Sequence, residues 1–479
     1  MFRRQFEKKL NQKSPSKFDS IKDRIPNSNV RSVTSKKPWI IGLSAIGSVA
    51  VAGIVVAVTF ASVSSKNPLL PETPVAKQLN APSKPLNSPK QKPNAQYLQG
   101  LKDFAVNFAT YTDKEEENSV FSPLSIATAF SMAYEGARAE TKEELGKMLG
   151  YDGSFDVKTC VAEMLKATHF TAEDKEGEKA YCDVADAIFI DQEFSPFLSE
   201  NYLKTLTDYY YAEAFGGVLK SDEMHEMLAS WINSKTNELF HLNADSFKEF
   251  AGILWLCNTV YLKANWACNV FEETGSFYPK QGAAQDTTFL HGYAQTSGYA
   301  SDSIYVCDIP LYGGLRFRVA VEKPSCEPLF LPPTTYAEQE QYWFHSILNP
   351  EQLSEVKDID LQFIMPTFKS HQKYDLKEVL QDAGVVRNAF TPKVADFHDM
   401  LNSVEHDPFI SKAIHEALVD VNKDGIEAAA YTVIEMTDES APEVPALEKW
   451  VIKLDRPFHY GIVDSLGYPL FLGTVNTAK

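Results

Sequence analysis

Three groups of residues have the types and spacing to do chemistry. Ser122, Ser125, Asn258 and His415 are the parts of a hydrolytic centre: a hydroxyl nucleophile, an imidazole base and an amide that steadies an oxyanion. No Gly-x-Ser-x-Gly elbow surrounds either serine and no glycine-rich phosphate loop occurs, so a satisfied polar network inside the core is the better reading of the four. Asp420-x-Asn422-x-Asp424-Gly425 opens like an EF-hand calcium loop, but that loop needs a bidentate Glu eleven positions after its first ligand, where Tyr431 stands. His415-Glu416 begins like a zinc helix motif, yet Val419 replaces the second His and the surroundings read as strand. Catalysis, a metal and a cofactor are therefore not expected of this chain.

His415, Glu416, Asp420, Asn422 and Asp424 all belong to one stretch, His415 to Ser440. It opens as a strand, with Ala417, Val419 and Val421 on one face and Glu416, Leu418 and Asp420 on the other. A polar turn follows at Asn422-Lys423-Asp424-Gly425, where Gly425 tolerates a positive φ. Then come small residues, Ala428-Ala429-Ala430, and after them the β-formers Tyr431-Thr432-Val433-Ile434. Small side chains after a strand and a flexible turn suit a segment that slides into a tight slot between two existing strands.

Asn422, Gly425, Glu427 and Ala428 to Ala430 resemble the hinge of the reactive-centre loop of serpins, and His415-Glu416-Ala417 resembles the central-sheet strand that precedes it. Phe121-Ser122-Pro123-Leu124-Ser125 looks like the start of the serpin helix B, and Asn258 to Lys263, with Trp266 after it, like the third strand of sheet A. Asp375-Leu376, Ala395-Asp396-Phe397, Asp455-Arg456-Pro457-Phe458 and Phe471-Leu472-Gly473 fall in family order, so the resemblance runs from about residue 96 to the end.

The resemblance implies an α+β fold of about eight or nine helices and three β-sheets, the largest being a central sheet A. An exposed reactive-centre loop would occupy about residues 423–449. It implies an inhibitor rather than an enzyme: a serine or cysteine endopeptidase cuts the loop, forms an acyl-enzyme, and is carried along as the loop inserts into sheet A. The gap for that insertion would lie between residues 253–262 and 410–421. Gly425, Ile426, Glu427, Ala428, Ala429 and Ala430 form the hinge, with Ile426 standing where inhibitory members usually have Thr or Ser. Period two turns Ile426, Ala428, Ala430, Thr432 and Ile434 inward, and Glu427, Ala429 and Tyr431 outward. Counted as in family loops, the attacked bond joins Glu439 to Ser440, and Met436, Thr437 and Asp438 contact the protease. That favours a protease accepting an acidic residue, with cleavage after Met436 by an elastase-like or chymotrypsin-like enzyme as runner-up. Ser122, Ser125, Asn258, Trp266 and His415 become the shutter and breach, where sheet A opens. The partner is the target protease in a covalent complex with a monomeric inhibitor. A non-inhibitory serpin acting as a chaperone or carrier shares the fold, but usually lacks the small-residue hinge kept here.

Composition adds what lies before this domain. The 479 residues carry a net charge of −18, unevenly spread: residues 1–37 hold eleven Lys/Arg against three Asp/Glu, leaving 35 basic against 61 acidic residues in the remainder. So acidic a body does not hold nucleic acid or an anionic polysaccharide by bulk charge, and the interleaved Lys and Glu between Asp156 and Lys179 offer no heparin-type face. Residues 38–65 have no charge at all and are long enough to cross a bilayer as a helix of roughly 20 residues. Read as a signal-anchor, with the basic arm in the cytoplasm, this span places the following domain outside the cell; were it a cleaved signal peptide, the domain would be secreted. Residues 66–95 contain seven prolines and few large apolar residues, the composition of a disordered tether. Residues 96–479 make up the folded domain.

Within it, helical spacing is read at Tyr97–Tyr111, Pro123–Glu135, Thr141–Leu149, Pro196–Tyr209 and Glu223–Phe240. Strands are read at Val184–Ile190, Ile253–Leu262, Tyr305–Pro310, Leu315–Val321, Leu361–Pro366 and Ile410–Val421, with three more in the tail. Six cysteines form no CxxC, and Cys257 and Cys307 sit in apolar strands as small buried hydrophobes.

Overall fold

The structure, a computed structural model, describes residues 49–60, 76–112, 117–174, 177–250, 252–323, 335–402, 406–423 and 447–478. In chain order the strands are β1 Val49–Phe60, β2 Lys77–Asn80, β3 Ser119–Phe121, β4 Phe170–Asp174, β5 Gly177–Asp191, β6 Glu213–Gly217, β7 Leu254–Ala264, β8 Asn269–Phe277 and β9 Gln285–Ala300. They continue as β10 Ile304–Pro310, β11 Arg316–Glu322, β12 Lys357–Pro366, β13 Phe368–Asp375, β14 Pro408–Val421, β15 Glu448–Lys453, β16 Phe458–Val463 and β17 Pro469–Val475. The α-helices are α1 Ala95–Thr112, α2 Pro123–Gly136, α3 Ala139–Met148, α4 Val157–Ala167, α5 Glu200–Tyr209, α6 Asp222–Lys235, α7 Tyr336–Leu348 and α8 Leu376–Asp382.

Eight strands form the central sheet in the order β13-β14-β1-β7-β5-β6-β2, with β4 paired to β5. One face of this sheet, including Ile54, Val56 and Val58, packs into the main core with Ile126 and Phe130 of α2. The other face presents Val55, Ala57, Phe189 and Trp255 to Leu228, Trp231 and Ile232 of α6. Nine strands form a second network, β15-β12-β9-β10-β11-β16-β17-β3, with β8 on β9. Where three sheets were expected, two hydrogen-bonded networks are found among the described residues, because the sixteen-residue β9 pairs with β12 over one part and with β10 at its end, joining two sheets into one. A buried Arg318–Asp308 pair, at 2.6 and 3.0 Å, also donates from Arg318 to the Ile347 carbonyl at 3.0 Å and so ties α7 to β10 and β11.

Local rules account for the helix starts. Ser122 caps α2, accepting from Ser125 N with Pro123 at the first helical position, and Ser199 and Ser221 do the same for α5 and α6. Helix α6 stops at Lys235, short of the expected Phe240, because Asn237, Glu238 and His241 take positive φ. Helices α4, α7 and α8 were not anticipated from the spacing of apolar residues. β15 begins at Glu448, inside the range expected for the loop.

The largest correction concerns the N-terminal uncharged span. Residues 49–60, expected to be the middle of a membrane-spanning helix, are a strand of the central sheet, and among the described residues no helix is long and apolar enough to cross a membrane. Seven of these twelve residues are Val, Ile or Thr, whose branched Cβ atoms favour extended backbone. The gap expected between β7 and β14 is therefore filled. Nor is the proline-rich tether free along its whole length. β2 pairs with β6, Lys84 sits on Asp183 and the Val184 carbonyl, Asn87 N donates to His169 O at 3.0 Å, and Lys90 Nζ bonds Ser465 Oγ at 2.8 Å. This composition forms no core of its own, but its lysines and amides find partners on the finished domain.

A small cavity of about 40 Å³ lies beside Gly53, lined by Val55, Ile232, Phe240, Leu242 and Ile414 among others. A Cβ at Gly53 would meet Asn258 O at 3.5 Å and Thr259 Cγ2 at 3.6 Å, ordinary contacts. Gly53→Ala is therefore expected to stabilise the protein by about 1 kcal/mol through lost unfolded-state freedom and a buried methyl. The check is the urea midpoint, and a lower midpoint would contradict this packing.

Candidate functional site

The site is the slot between β7 and β14 together with the side chains that bridge it. β1 runs antiparallel to both neighbours, from Val49 opposite Asp420 and Lys263 to Val58 opposite Ile410 and Leu254. β7 and β14 are thus parallel to one another, and each offers its hydrogen-bonding edge to the strand between them. Ile54 lies opposite both Asn258 and His415, so the occupant crosses the site at the two residues expected to form the shutter.

His415 is fully buried and holds three elements together. Its Nε2 accepts from the backbone N–H of Ser122 at 3.1 Å, which leaves Nδ1 as the donor to the carbonyl of Gly53, also at 3.1 Å. Its ring stacks on Tyr374, with centroids 6.2 Å apart and planes at 11°. Burial pulls the imidazole down to about 3, against the smaller opposing effect of the Gly53 hydrogen bond, so it is neutral at physiological pH. Ser122 Oγ accepts from Ser125 N at 3.2 Å, and both serines are fully buried. The imidazole lone pair is occupied by a backbone amide rather than by a serine hydroxyl, so these residues do not make a nucleophile and base.

Asn258 takes a partner that sequence reading missed. Its Nδ2 donates to Asp186 Oδ1 at 2.9 Å on β5, and both residues are buried. Burial pushes the Asp186 carboxyl up to about 7, against the opposing Asn258 hydrogen bond and Lys84, with Asp183 adding to the rise. Asp186 Oδ2 and Asn258 Oδ1 are buried acceptors without a donor, and a proton on Asp186 turns one of them into a donor. A lone acid in the run Val184-Ala185-Asp186-Ala187-Ile188-Phe189-Ile190 was the available signal.

Trp266 stands at the end of the slot, where its Nε1 donates to the Asn422 carbonyl at 3.1 Å and Asn422 Nδ2 donates to Asp420 Oδ1 at 2.9 Å. Ser122 thus bonds both His415 and Ser125, Asn258 lies opposite Ile54 on the other side of the slot, and Trp266 is engaged separately at the exit of β14. The hinge residues Gly425, Ile426, Glu427, Ala428, Ala429 and Ala430 lie outside the described residues. So do Met436, Thr437, Asp438 and the expected reactive bond Glu439–Ser440. Cys257 and Cys307 are buried free thiols, with burial raising both.

Comparison with known proteins gives a consistent picture. The family profile described as "Serpin (serine protease inhibitor)" matches residues 99–478. Mouse neuroserpin is 27% identical over 386 residues, covering 75% of this chain and 86% of its own length. An uncharacterised serpin-like protein of Thermococcus kodakarensis is 26% identical over 372 residues, covering 76% of this chain and 81% of its own. The native-state structure of tengpin, a thermophilic serpin, superposes with a TM-score of 0.64 at 22% identity, covering 84% of this chain and 99% of that one.

Proposed function

The chain belongs to the serpin family, and from that premise we propose that it inhibits a serine or cysteine endopeptidase by suicide-substrate trapping. The observation that carries this reading is the site between β7 and β14, which accepts a whole intercalated strand on two parallel edges while β14 leads directly into residues 424–446. The protease nucleophile adds to the carbonyl carbon of Glu439 and the bond to Ser440 nitrogen breaks. The amine leaves with a proton from the protease's own acid, and the acyl-enzyme remains. The freed loop then enters the central sheet antiparallel to β14, dragging the acylated protease and distorting its site before water attacks. Glu439 directs the bait toward proteases that accept an acidic residue.

Glu439→Arg is the experiment. Detergent-stable adduct formation should move from glutamyl-preferring to trypsin-like proteases by about a hundredfold or more. Unchanged preference would place the bond elsewhere, with Met436 next in line.

The basic arm and the absence of charge from residues 38–65 favour a bilayer as a second place for residues 49–60, which in the structure lie in the central sheet; when the segment spans, the N-terminus is in the cytoplasm and the domain outside. One observation favours a second reading, a non-inhibitory binding or chaperone protein: β1 already occupies the slot a cut loop would need. Absence of any adduct with proteases of acidic, apolar and basic preference would select it.

A further inference from the structure

We propose that residues 49–60 are a built-in occupant of the loop-insertion slot, exchanged between that slot and a phospholipid bilayer, so that the segment's location decides whether the slot is open. The proposal rests on the inhibitory reading only for its consequence; the exchange itself stands on the geometry of β1.

The ladder is complete on both sides. Twelve residues of β1 pair with β14, with one irregularity between Ala57 and Val58, and ten pair with β7. The side chains described from Ile54 to Val58 are all buried, three toward the main core and two toward α6. Beyond the ladder, His415 Nδ1 donates to Gly53 O, and Ser411 Oγ donates to Ala57 O at 3.2 Å. A loop strand that turned back from Asn422 would run antiparallel to β14 and need the same two edges. Loop and β1 therefore exclude each other, because each backbone edge forms one ladder.

The second environment is set by the same residues. β1 lies inside the uncharged stretch 38–65, which meets the length and polarity needs of a bilayer span only when residues 49–60 are part of it. Entering the membrane thus empties the slot, and filling the slot removes the span. Both environments take the apolar side chains out of water and still satisfy the backbone amides, as ladder or as helix, whereas in water the amides are solvated but the apolar side chains stay exposed. Residues 61–75 separate β1 from the start of the pinned segment, enough chain for about 50 Å of reach when extended. The segment can therefore leave the sheet without unpicking β2 from β6.

The test uses the full chain. Val55 lies opposite Cys257 in register, and both belong to the cluster under α6, so Val55→Cys places two thiols face to face across β1 and β7. Oxidation in detergent-free buffer should link position 55 to Cys257 within one chain, as read by peptide mapping. After reconstitution into phosphatidylcholine vesicles the yield should fall at least tenfold. Val56→Cys, on the opposite face, should give no link to Cys257 in either condition. No link in buffer, or equal yields in buffer and vesicles, overturns the exchange, and a link between two chains overturns its internal form. The unaltered protein supplies an independent reading: a synthetic peptide of residues 425–438 should add to vesicle-bound protein and not to protein in buffer, and the reverse order sinks the proposal. If the vesicle-bound protein takes up this peptide yet traps no protease, the inhibitory reading fails while the exchange stands.

Discussion

Asp186→Asn is expected to raise the free energy of unfolding by roughly 4 kcal/mol at pH 8 and by almost nothing at pH 4, since the carboxyl is displaced from 3.8 to about 7 and each unit is worth about 1.4 kcal/mol. In the unfolded chain the acid ionises near its ordinary value; in the folded chain burial holds the proton on. The folded state therefore binds more protons between those values. The stability the acid contributes is fully present below about pH 4, declines as pH rises toward 7, and stays lost above it. An amide in its place cannot ionise, can still accept from Asn258 Nδ2, and brings a donor for the unpartnered Asn258 Oδ1. His415, displaced in the opposite direction, opposes folding below its ordinary value of 6.5, and comparing variant with parent at each pH cancels it. Urea unfolding at pH 4, 6 and 8 measures the effect. A gain independent of pH would mean that Asp186 is ionised in the fold throughout.

Ala428→Arg should turn an inhibitor into a substrate. The positions of β1 that face the main core, Ile54, Val56 and Val58, are 1%, 0% and 0% exposed, so a loop strand taking that place would present Ala428 to a region without water. A guanidinium there has no partner, and leaving a charge buried and unpaired costs several kcal/mol. If only about 3 kcal/mol of that reaches the barrier, insertion slows about a hundredfold, and the acyl bond is hydrolysed before the protease is trapped. Cleavage of the loop should persist while the detergent-stable adduct falls below about a hundredth of the parent's. Glu427→Arg is the control, because that position already carries a charge and should keep its adduct. Equal adduct from Ala428→Arg and the parent would mean that the loop does not enter between β7 and β14.

Much of the fold was legible along the chain. Ser122 with Pro123 starts α2 through a local hydrogen bond, and the apolar run that became β7 reads as a strand buried on both faces, because both signals are complete within a few residues. Trp266 and His415 were placed through resemblance to a family, and the structure locates them at the exit and in the middle of the slot. Asp186 as the partner of Asn258 was not read, since the two are 72 residues apart and meet only when β5 and β7 align. Helix α4 is obscured along the chain by its interleaved Lys158, Glu163 and Lys166, and the buried face of Val161, Met164 and Leu165 emerges only in the fold.

The sequence by itself determined that residues 49–60 must leave water: they carry no charge and almost all of their side chains are apolar. It could not determine where they go. A short apolar run is the same pattern in a bilayer helix and in a strand buried on both faces, and periodicity does not separate the two. That choice was made by the tertiary structure, because β7 and β14 stand parallel with two open edges and an imidazole at His415 ready to bond the Gly53 carbonyl. No stretch of sequence encodes an edge that exists only after two distant strands have been set one strand's width apart.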